Sequence, residues 1–171
     1  NYTSSGALTI NNDIYTVITT LGAQGSTTTT DLQGMKGNLA GKYALGGDIS
    51  IGTTDNTWNS SAGFAPIGST NTNDKFTGKF YGLGHEISGL TVTQGSSYSY
   101  GAGLFGASTG RISGVAVTNV NVLARGNAGY GGLIGQNEGY LLNSYSTGSV
   151  TTNDPDWSGG PGGLVGTNYM G

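Results

Sequence analysis

The sequence has no cysteine and few charged residues, and each shortage excludes a class of protein. Without cysteine, the 171-residue chain has no disulfide framework and no thiolate metal site. Only 9% of the residues are charged, and the six basic ones are scattered, so the chain has no basic stripe that would bind nucleic acid. No apolar run approaches the roughly 20 residues that a membrane-spanning helix needs. The sequence therefore predicts neither a nucleic-acid partner nor a membrane span.

Glycine is in large excess, with 34 of the 171 residues. Such a composition often accompanies disorder, but 35% of the residues are hydrophobic and they fall in short, ordered runs. In "RISGVAVTNVNVL" (111–123), β-branched residues alternate with small or polar ones, which is the period of a strand. Only residues 31–43 hint at a helical turn, with Asp31 as its N-cap. The sequence therefore predicts a turn-rich all-β protein.

A short motif, Gly-Leu-apolar-Gly, occurs three times. It lies in "GAGLFG" (101–106), "GGLIG" (131–135) and "GGLVG" (162–166), and its leucines are 29 and 31 residues apart. "GRISGVAV" (110–117) and "GYLLNSYS" (139–146) share the 29-residue offset. Recurrence at this period is typical of stacked structural repeats.

Each repeat has room for three short strands, which cannot bury their apolar faces alone but can do so by stacking. We therefore predict a right-handed parallel β-helix of about six irregular coils (~29 residues each) with protruding loops. A two-sheet or roll-like β fold is the alternative. An earlier segment, "HEISGLTV" (85–92), matches "RISGVAV" (111–117) at a shorter offset, which extends the pattern toward the N-terminus. The predicted core includes Leu104, Ile112, Val115, Val117, Leu133, Leu141 and Leu164.

The chain is predicted to be a single domain, 1–171, in which glycines beside the motif form the corners. A glycine there reaches positive φ freely and places no Cβ against the next coil. The last repeat stops short of its β-rich tail, so we expect a neighbouring segment or subunit to complete it. Within the domain we distinguish irregular coils over 1–51, coils with a long polar insertion over 52–100, and the motif repeats over 101–171.

Two polar insertions, 52–76 and 151–162, carry both tryptophans and are expected to protrude as loops. Exposed aromatic rings can stack on sugars and donate hydrogen bonds. Tyr140 and Tyr145 are instead expected to stack between coils. The candidate ligand contacts in loops are Trp58, Tyr98, Tyr100 and Trp157.

Catalytic chemistry has little support in the sequence. His85, the single histidine, is either a base paired with Glu86 or a corner residue of the solenoid. One histidine without cysteine cannot build the usual catalytic zinc sites. Carboxylates do not recur at matched positions, since Glu138 is matched by Thr109 and Glu86 by Arg111. We therefore expect no enzyme activity.

Asp154 and Asp156 lie two residues apart in the second polar insertion. This spacing can bind Ca²⁺ through carboxylate oxygens, but the other ligands of an EF-hand loop are missing. A solvated turn is the alternative interpretation. No other cofactor site is predicted.

Three longer segments, 15–51, 58–69 and 76–92, resemble the repeat region of bacterial adhesins related to filamentous haemagglutinin, which are exported by two-partner secretion. The three Gly-Leu-apolar-Gly motifs resemble the GLUG motif of those proteins. The resemblance implies a non-catalytic, secreted or cell-surface β-helix that acts in adhesion. It also implies a host-surface or matrix receptor, glycan or protein, and repeats or subunits stacked end to end. A structural subunit of an extracellular filament and a β-helix polysaccharide-degrading enzyme are the alternatives.

Overall fold

The chain folds into short strands joined by tight turns. A computed structural model describes residues 8–52, 57–70, 73–94, 101–126, 128–153 and 161–169. The described strands are β1 Leu8–Ile10, β2 Asp13–Ile18, β3 Lys42–Leu45, β4 Ile49–Ser50, β5 Lys79–Tyr81, β6 Glu86–Ser88, β7 Thr91–Thr93, β8 Phe105–Ser108, β9 Arg111–Ser113, β10 Ala116–Ala124, β11 Ile134–Asn137, β12 Tyr140–Leu142, β13 Tyr145–Thr152 and β14 Val165–Asn168.

Helical structure is confined to two short pieces of the described chain. Gln33–Gly37 forms a 3-10 helix. Trp58–Ser61 forms a single turn in which Asn59 and Ser60 have left-handed φ of 54° and 59°. Neither piece has the length or the apolar character of a helix that crosses a membrane. The predicted helical turn over 31–43 is thus shorter than expected, although the Asp31 carboxylate does accept the Gly34 N–H at 2.6 Å.

The strands form three sheets, and the pairings between named strands are parallel except for β1 with β2. Sheet I has the order β1-β2-β3-β5-β9-β12, sheet II has β4-β6-β10-β13 with β7 also on β10, and sheet III has β8-β11-β14. From β8 onward the chain visits sheets III, I and II in turn and adds one strand to each sheet with every coil. The predicted all-β parallel β-helix is confirmed, and the right-handed sense of the coil stays a prediction in line with the usual crossover preference.

The predicted number of coils is wrong: the solenoid has about four turns, not six. Ala44 of β3 lies opposite Tyr81 of β5, so this coil is longer than the coils of the motif repeats, in which Phe105 lies opposite Ile134. Residues 8–10 form β1, which pairs antiparallel with β2 as a cap instead of belonging to a coil. The longer coil and the cap together contain residues that a uniform repeat length would have assigned to further turns.

The Gly-Leu-apolar-Gly motifs stack directly on one another. Phe105 lies opposite Ile134, and Ile134 lies opposite Val165, in sheet III. The Leu133 carbonyl accepts the Phe105 N–H at 2.8 Å, and the Leu133 N–H donates to Leu164 at 3.1 Å. The spacing between successive motif leucines therefore equals one coil of the solenoid, as the sequence predicts.

The match of "HEISGLTV" to "RISGVAV" is wrong as a structural register. Ile87 lies opposite Val117 in sheet II and not opposite Ile112, which pairs with Phe80 in sheet I. The two segments look alike because each places one buried isoleucine between outward-facing neighbours. They belong to different sides of the coil.

Most of the predicted core side chains lie inside the solenoid. Leu104, Ile112, Val115, Val117 and Leu133 are at most 1% exposed. Leu141 and Leu164 pack against the same core but remain half-buried, because the coil they belong to has a described neighbour on one side only. In the earlier coils the core is aromatic, and the Phe76 and Phe105 ring centroids lie 4.9 Å apart.

The glycine that closes each motif is needed for close approach of backbones and not for positive φ. Gly106, Gly135 and Gly166 are absent from the positive-φ residues of the described chain. A Cβ on Gly135 would lie 2.6 Å from the Gly106 carbonyl oxygen and 2.7 Å from the Ala102 nitrogen. For these glycines, the prediction that the next coil leaves no room for a side chain is confirmed, and the prediction of a positive φ is wrong.

The insertion over 52–76 does not simply protrude, which corrects the prediction for it. Gly63 pairs antiparallel with Val92 of β7, so the insertion covers the free edge of that strand. Apolar residues in the middle of the insertion and at its C-terminal end are buried in the core. The buried side chains are Phe64, Ile67 and Phe76.

The first coil carries a cap. An Asn11-Asn12 turn with φ of 50° and 67° joins β1 to β2, as type I′ hairpins require, and β1 covers the outer edge of sheet I. Leu32 and Met35 are fully buried beside this end of the core. The Gln33 side-chain amide exchanges two hydrogen bonds with the backbone of Ala65, at 3.1 and 3.2 Å, in place of a strand neighbour.

At the opposite end, the described strands β12, β13 and β14 each pair on one side only.

Candidate functional site

Three of the six basic residues of the chain lie on consecutive strands of sheet I. Lys42, Lys79 and Arg111 are direct register partners, and we call them the cationic ladder. The residue that follows each of them is buried, so strand alternation places the ladder on the outer face. Like charges on neighbouring strands repel one another, and a compensating group is therefore expected nearby.

Asp13 compensates two steps of the cationic ladder. Its Oδ1 pairs with Lys42 Nζ, and its Oδ2 lies 2.6 Å from Lys79 Nζ. The hydrogen bonds from Lys42 and then Lys79 lower the pKa of the Asp13 carboxyl below its ordinary value, and the Asp13 carboxylate raises the pKa of Lys79. Arg111, the third step, has no salt bridge within the described ranges.

Two tyrosines form a stacked pair on the same outer face. The Tyr15 and Tyr81 ring centroids are 5.3 Å apart with an interplanar angle of 23°. Burial, together with the Tyr81 hydroxyl and the Asp13 charge, raises the pKa of Tyr15 to about 12. The Tyr15 hydroxyl therefore keeps its proton at neutral pH. Ala44, on the strand between the two tyrosines, is fully buried.

A cleft of about 330 Å³ opens where the β1–β2 hairpin overhangs this face. Leu83, on its rim, is 51% exposed and has a left-handed φ of 52°. A left-handed backbone is uncommon for leucine and costs on the order of 1–3 kcal/mol. Side chains that line the cleft include Ile10, Asn11, Tyr81, Leu83, Arg111 and Ser113.

A second cavity of about 380 Å³ lies at a corner of the coils, between the 3-10 helix and the insertion. Lys36 and Asp74 bring one charge of each sign to it, and Gln94 brings an amide. The residues that line this cavity do not include a set of similar side chains at matched positions of neighbouring strands, as the cationic ladder does. The outer face of sheet I is the better candidate site because it combines ordered charge, aromatic rings and a cleft.

Of the predicted ligand contacts, only Trp58 is within the described residues. It lies half-buried in the single turn Trp58–Ser61 and is not among the residues that line the cleft beside the cationic ladder. Tyr98, Tyr100 and Trp157 lie outside the described residues, as does the candidate calcium pair, Asp154 and Asp156.

Tyr140 and Tyr145 do not form the expected stacks with other rings in the described part of the chain. They are 59% and 54% exposed. Tyr140 lies opposite Arg111 on the next strand of sheet I, so it continues the line of the cationic ladder with an aromatic side chain.

The cationic ladder was missed at the sequence level, although a signal for it exists. Each ladder residue follows a glycine and precedes a large apolar residue, as "GKY" (41–43), "GKF" (78–80), "GRI" (110–112) and then "GYL" (139–141). The motif period aligns the last two of these. It does not align the first two, because the coil between them is enlarged by the insertion.

His85 pairs with Asp48 and not with Glu86. Its Nδ1 lies 3.2 Å from Asp48 Oδ1, which also accepts the Glu86 N–H at 2.9 Å. The Glu86 carboxylate accepts the Thr118 hydroxyl at 2.6 Å. Glu86 lies opposite Ala116, so its predicted match with Arg111 is wrong. Across the described ranges, no three His, Asp or Glu side chains gather closely enough to hold a metal ion.

A second ion pair ties the insertion to a later coil and makes stability depend on pH. Lys75 Nζ lies 2.6 and 2.7 Å from the two Glu138 oxygens, and this contact lowers the pKa of Glu138 below 4.5. A lowered pKa means that the folded state binds the proton less tightly than the unfolded chain does. The bridge therefore stabilises the fold above pH 4.5, and its contribution is lost as the pH falls through the lowered pKa.

We expect Lys75→Met to lower the free energy of unfolding near pH 7 by about 1 kcal/mol or less, and to make its decline below pH 4.5 shallower. Urea unfolding, followed by circular dichroism from pH 7 down to pH 3, measures both effects. Lys36→Met, which removes an exposed lysine, is the control and should leave the pH profile unchanged. Identical profiles for Lys75→Met and wild type would contradict the role of the bridge.

Comparison with known proteins gives one informative match. No family model matches the chain, and no solved structure matches it. The resemblance to adhesins with GLUG motifs therefore stays a prediction. The chain is similar to halomucin from Haloquadratum walsbyi (strain DSM 16790 / HBSQ001), with 34% identity over 143 residues. The matched region covers 81% of the chain and 2% of halomucin, so the chain resembles one small segment of a very large protein.

Proposed function

We propose that the chain is a non-catalytic segment of an extracellular surface protein, a β-solenoid that acts as a stalk and presents its outer faces for adhesion. The similarity to halomucin, a large extracellular glycoprotein, supports the location. The observation that carries the proposal is the stacking of coils in register, which repeats outward-facing side chains along the solenoid as a line. In its more specific form, the proposal is that the chain is part of a bacterial adhesin of the filamentous haemagglutinin type, secreted or held at the cell surface. The resemblance of the GLUG-like repeats supports this form.

The partner of such a segment is a glycan or protein receptor on a host surface or in a matrix. Sheet I presents cations, tyrosines and an open cleft on one face. Side chains that line a shallow, exposed groove suit an extended ligand held by many weak contacts.

The filament alternative is favoured by one observation and opposed by another. Strands β12, β13 and β14 have paired neighbours on one side only, and an unpaired edge is a template for another chain. At the other end, however, the edge strand of sheet I is β1, which is antiparallel to β2. A head-to-tail filament of identical subunits would have to continue the parallel pairing of this sheet at both ends. We therefore favour stacking of further coils on one end, from flanking repeats or a neighbouring subunit.

Adhesion assays with coated beads test the proposed function. Beads carrying the purified protein should be retained on surfaces of polysaccharides or matrix proteins, and beads carrying albumin should not. Failure of the beads to bind any surface would overturn the adhesive function. New reducing or unsaturated ends in soluble glycans mixed with the protein would instead support the enzyme alternative. Long filaments in negative-stain images of the same preparation would support the filament alternative.

A further inference from the structure

Arg111 is the step of the cationic ladder that the described part of the chain leaves uncompensated. The two oxygens of Asp13 pair with Lys42 and Lys79, and neither of them forms a salt bridge with Arg111. Arg111 has no other carboxylate partner within the described ranges, and it lines the cleft under the β1–β2 hairpin. A guanidinium in a cleft, beside two cations whose charge is only partly balanced, favours an anion from solution.

We propose that this cleft binds a carboxylate-bearing saccharide, a uronate unit of an acidic polysaccharide, with Arg111 as the anchor of its carboxylate. The proposal rests on the proposed function, because it names the ligand class of the displayed face. The planar guanidinium can donate two parallel hydrogen bonds to one carboxylate, which gives both strength and orientation.

The groups around Arg111 suit a sugar ring. Tyr81 lines the cleft and Tyr140, 59% exposed, lies on the next strand beside Arg111, so each offers an aromatic face or a hydroxyl to the ligand. Asn11 and Ser113 add an amide and a hydroxyl for ring hydroxyl groups. Leu83 gives the rim an exposed apolar surface in a strained backbone conformation. Strain of this kind recurs at ligand sites.

An acidic peptide fits this face less well. Extended peptides commonly bind by adding a strand to a free sheet edge. Strand β9, which carries Arg111, is paired with β5 on one side and with β12 on the other. A ligand beside Arg111 therefore cannot be added to β9 as a further strand. The ladder runs along the solenoid axis, so an extended polymer can lie along it and reach from Tyr140 toward Lys79.

Calorimetric titration with trigalacturonate tests the site, with its methyl-esterified form as the neutral match. The wild-type protein should bind trigalacturonate about tenfold or more tightly than the ester. Arg111→Gln should weaken trigalacturonate binding by about tenfold or more, and Arg111→Lys by less, because lysine keeps the charge without the fork. Lys36→Gln, which removes an exposed lysine outside this cleft, should bind as the wild type does. Circular dichroism confirms that each variant is folded.

Equal binding of the acid and the ester, or undiminished binding by folded Arg111→Gln, would overturn the proposal. If Arg111→Gln does not fold, the comparison of acid with ester on the wild-type protein decides. A glutamate trimer that binds more tightly than trigalacturonate would overturn it in favour of an acidic peptide. If the beads adhere but trigalacturonate does not bind, the uronate site is wrong and the adhesive function stands. If trigalacturonate binds but the beads adhere to no surface, the adhesive function is wrong and the uronate site stands.

Discussion

Leu133→Asp is expected to unfold the protein or to lower its free energy of unfolding by about 3–5 kcal/mol. Leu133 is fully buried, and its backbone bonds to Phe105 on one coil and to Leu164 on the other. An aspartate there would lose the apolar contacts of leucine and place a carboxylate without a partner in a dry interior. Because the affected coil supports both neighbours, the loss should reach the whole motif region.

Leu142→Asp is the matched control for this substitution. Leu142 ends β12 and is 39% exposed, so an aspartate there keeps its water and should change the free energy of unfolding by less than about 1 kcal/mol. Urea unfolding curves of both variants at neutral pH make the comparison. A Leu133→Asp variant as stable as Leu142→Asp would show that the motif leucine does not face the interior.

Gly135→Ala is expected to destabilise the fold by about 2 kcal/mol or more, although it adds one methyl group. The new Cβ would lie 2.6 Å from the Gly106 oxygen and 2.7 Å from the Ala102 nitrogen. Both are backbone atoms of the adjacent coil, so neither can rotate away as a side chain would. The two coils would have to separate, which would weaken the hydrogen bonds of sheet III.

Gly163→Ala is the control, at the opening glycine of another copy of the motif. A Cβ on Gly163 would meet no described atom within 4 Å, and its φ is not positive. This variant should be neutral, or more stable by up to about 1 kcal/mol because alanine restricts the unfolded chain. Thermal melting of the two variants beside the wild type measures the difference. A Gly135→Ala protein that melts with the wild type would refute the close approach.

The motif repeats could be predicted from sequence because there the period equals the register. Leu104, Leu133 and Leu164 recur at one position of the coil, and each copy carries the information for its own placement. Buried residues and tight glycines constrain these positions locally, so a single sequence is enough to align them.

The cap and the candidate site could not be predicted in this way, because distant segments hold them together. Gln33 takes the place of a strand by bonding to Ala65, 32 residues away. Asp13 meets Lys79 across 66 residues, and one of the coils between them is enlarged by the insertion. No local pattern records that such side chains meet. The three-residue signal around each ladder cation becomes visible only once the irregular coils are aligned.

The antiparallel strand β1 gives sheet I a polarity. It pairs with β2 on the side opposite to β3, so the parallel strands of the later coils all lie on the other side of β2. From there the strands follow one another in the order of the chain, β2, β3, β5, β9 and β12. Each coil contacts mainly the coils before and after it, so the stability of the solenoid is expected to be a sum over neighbouring pairs of coils.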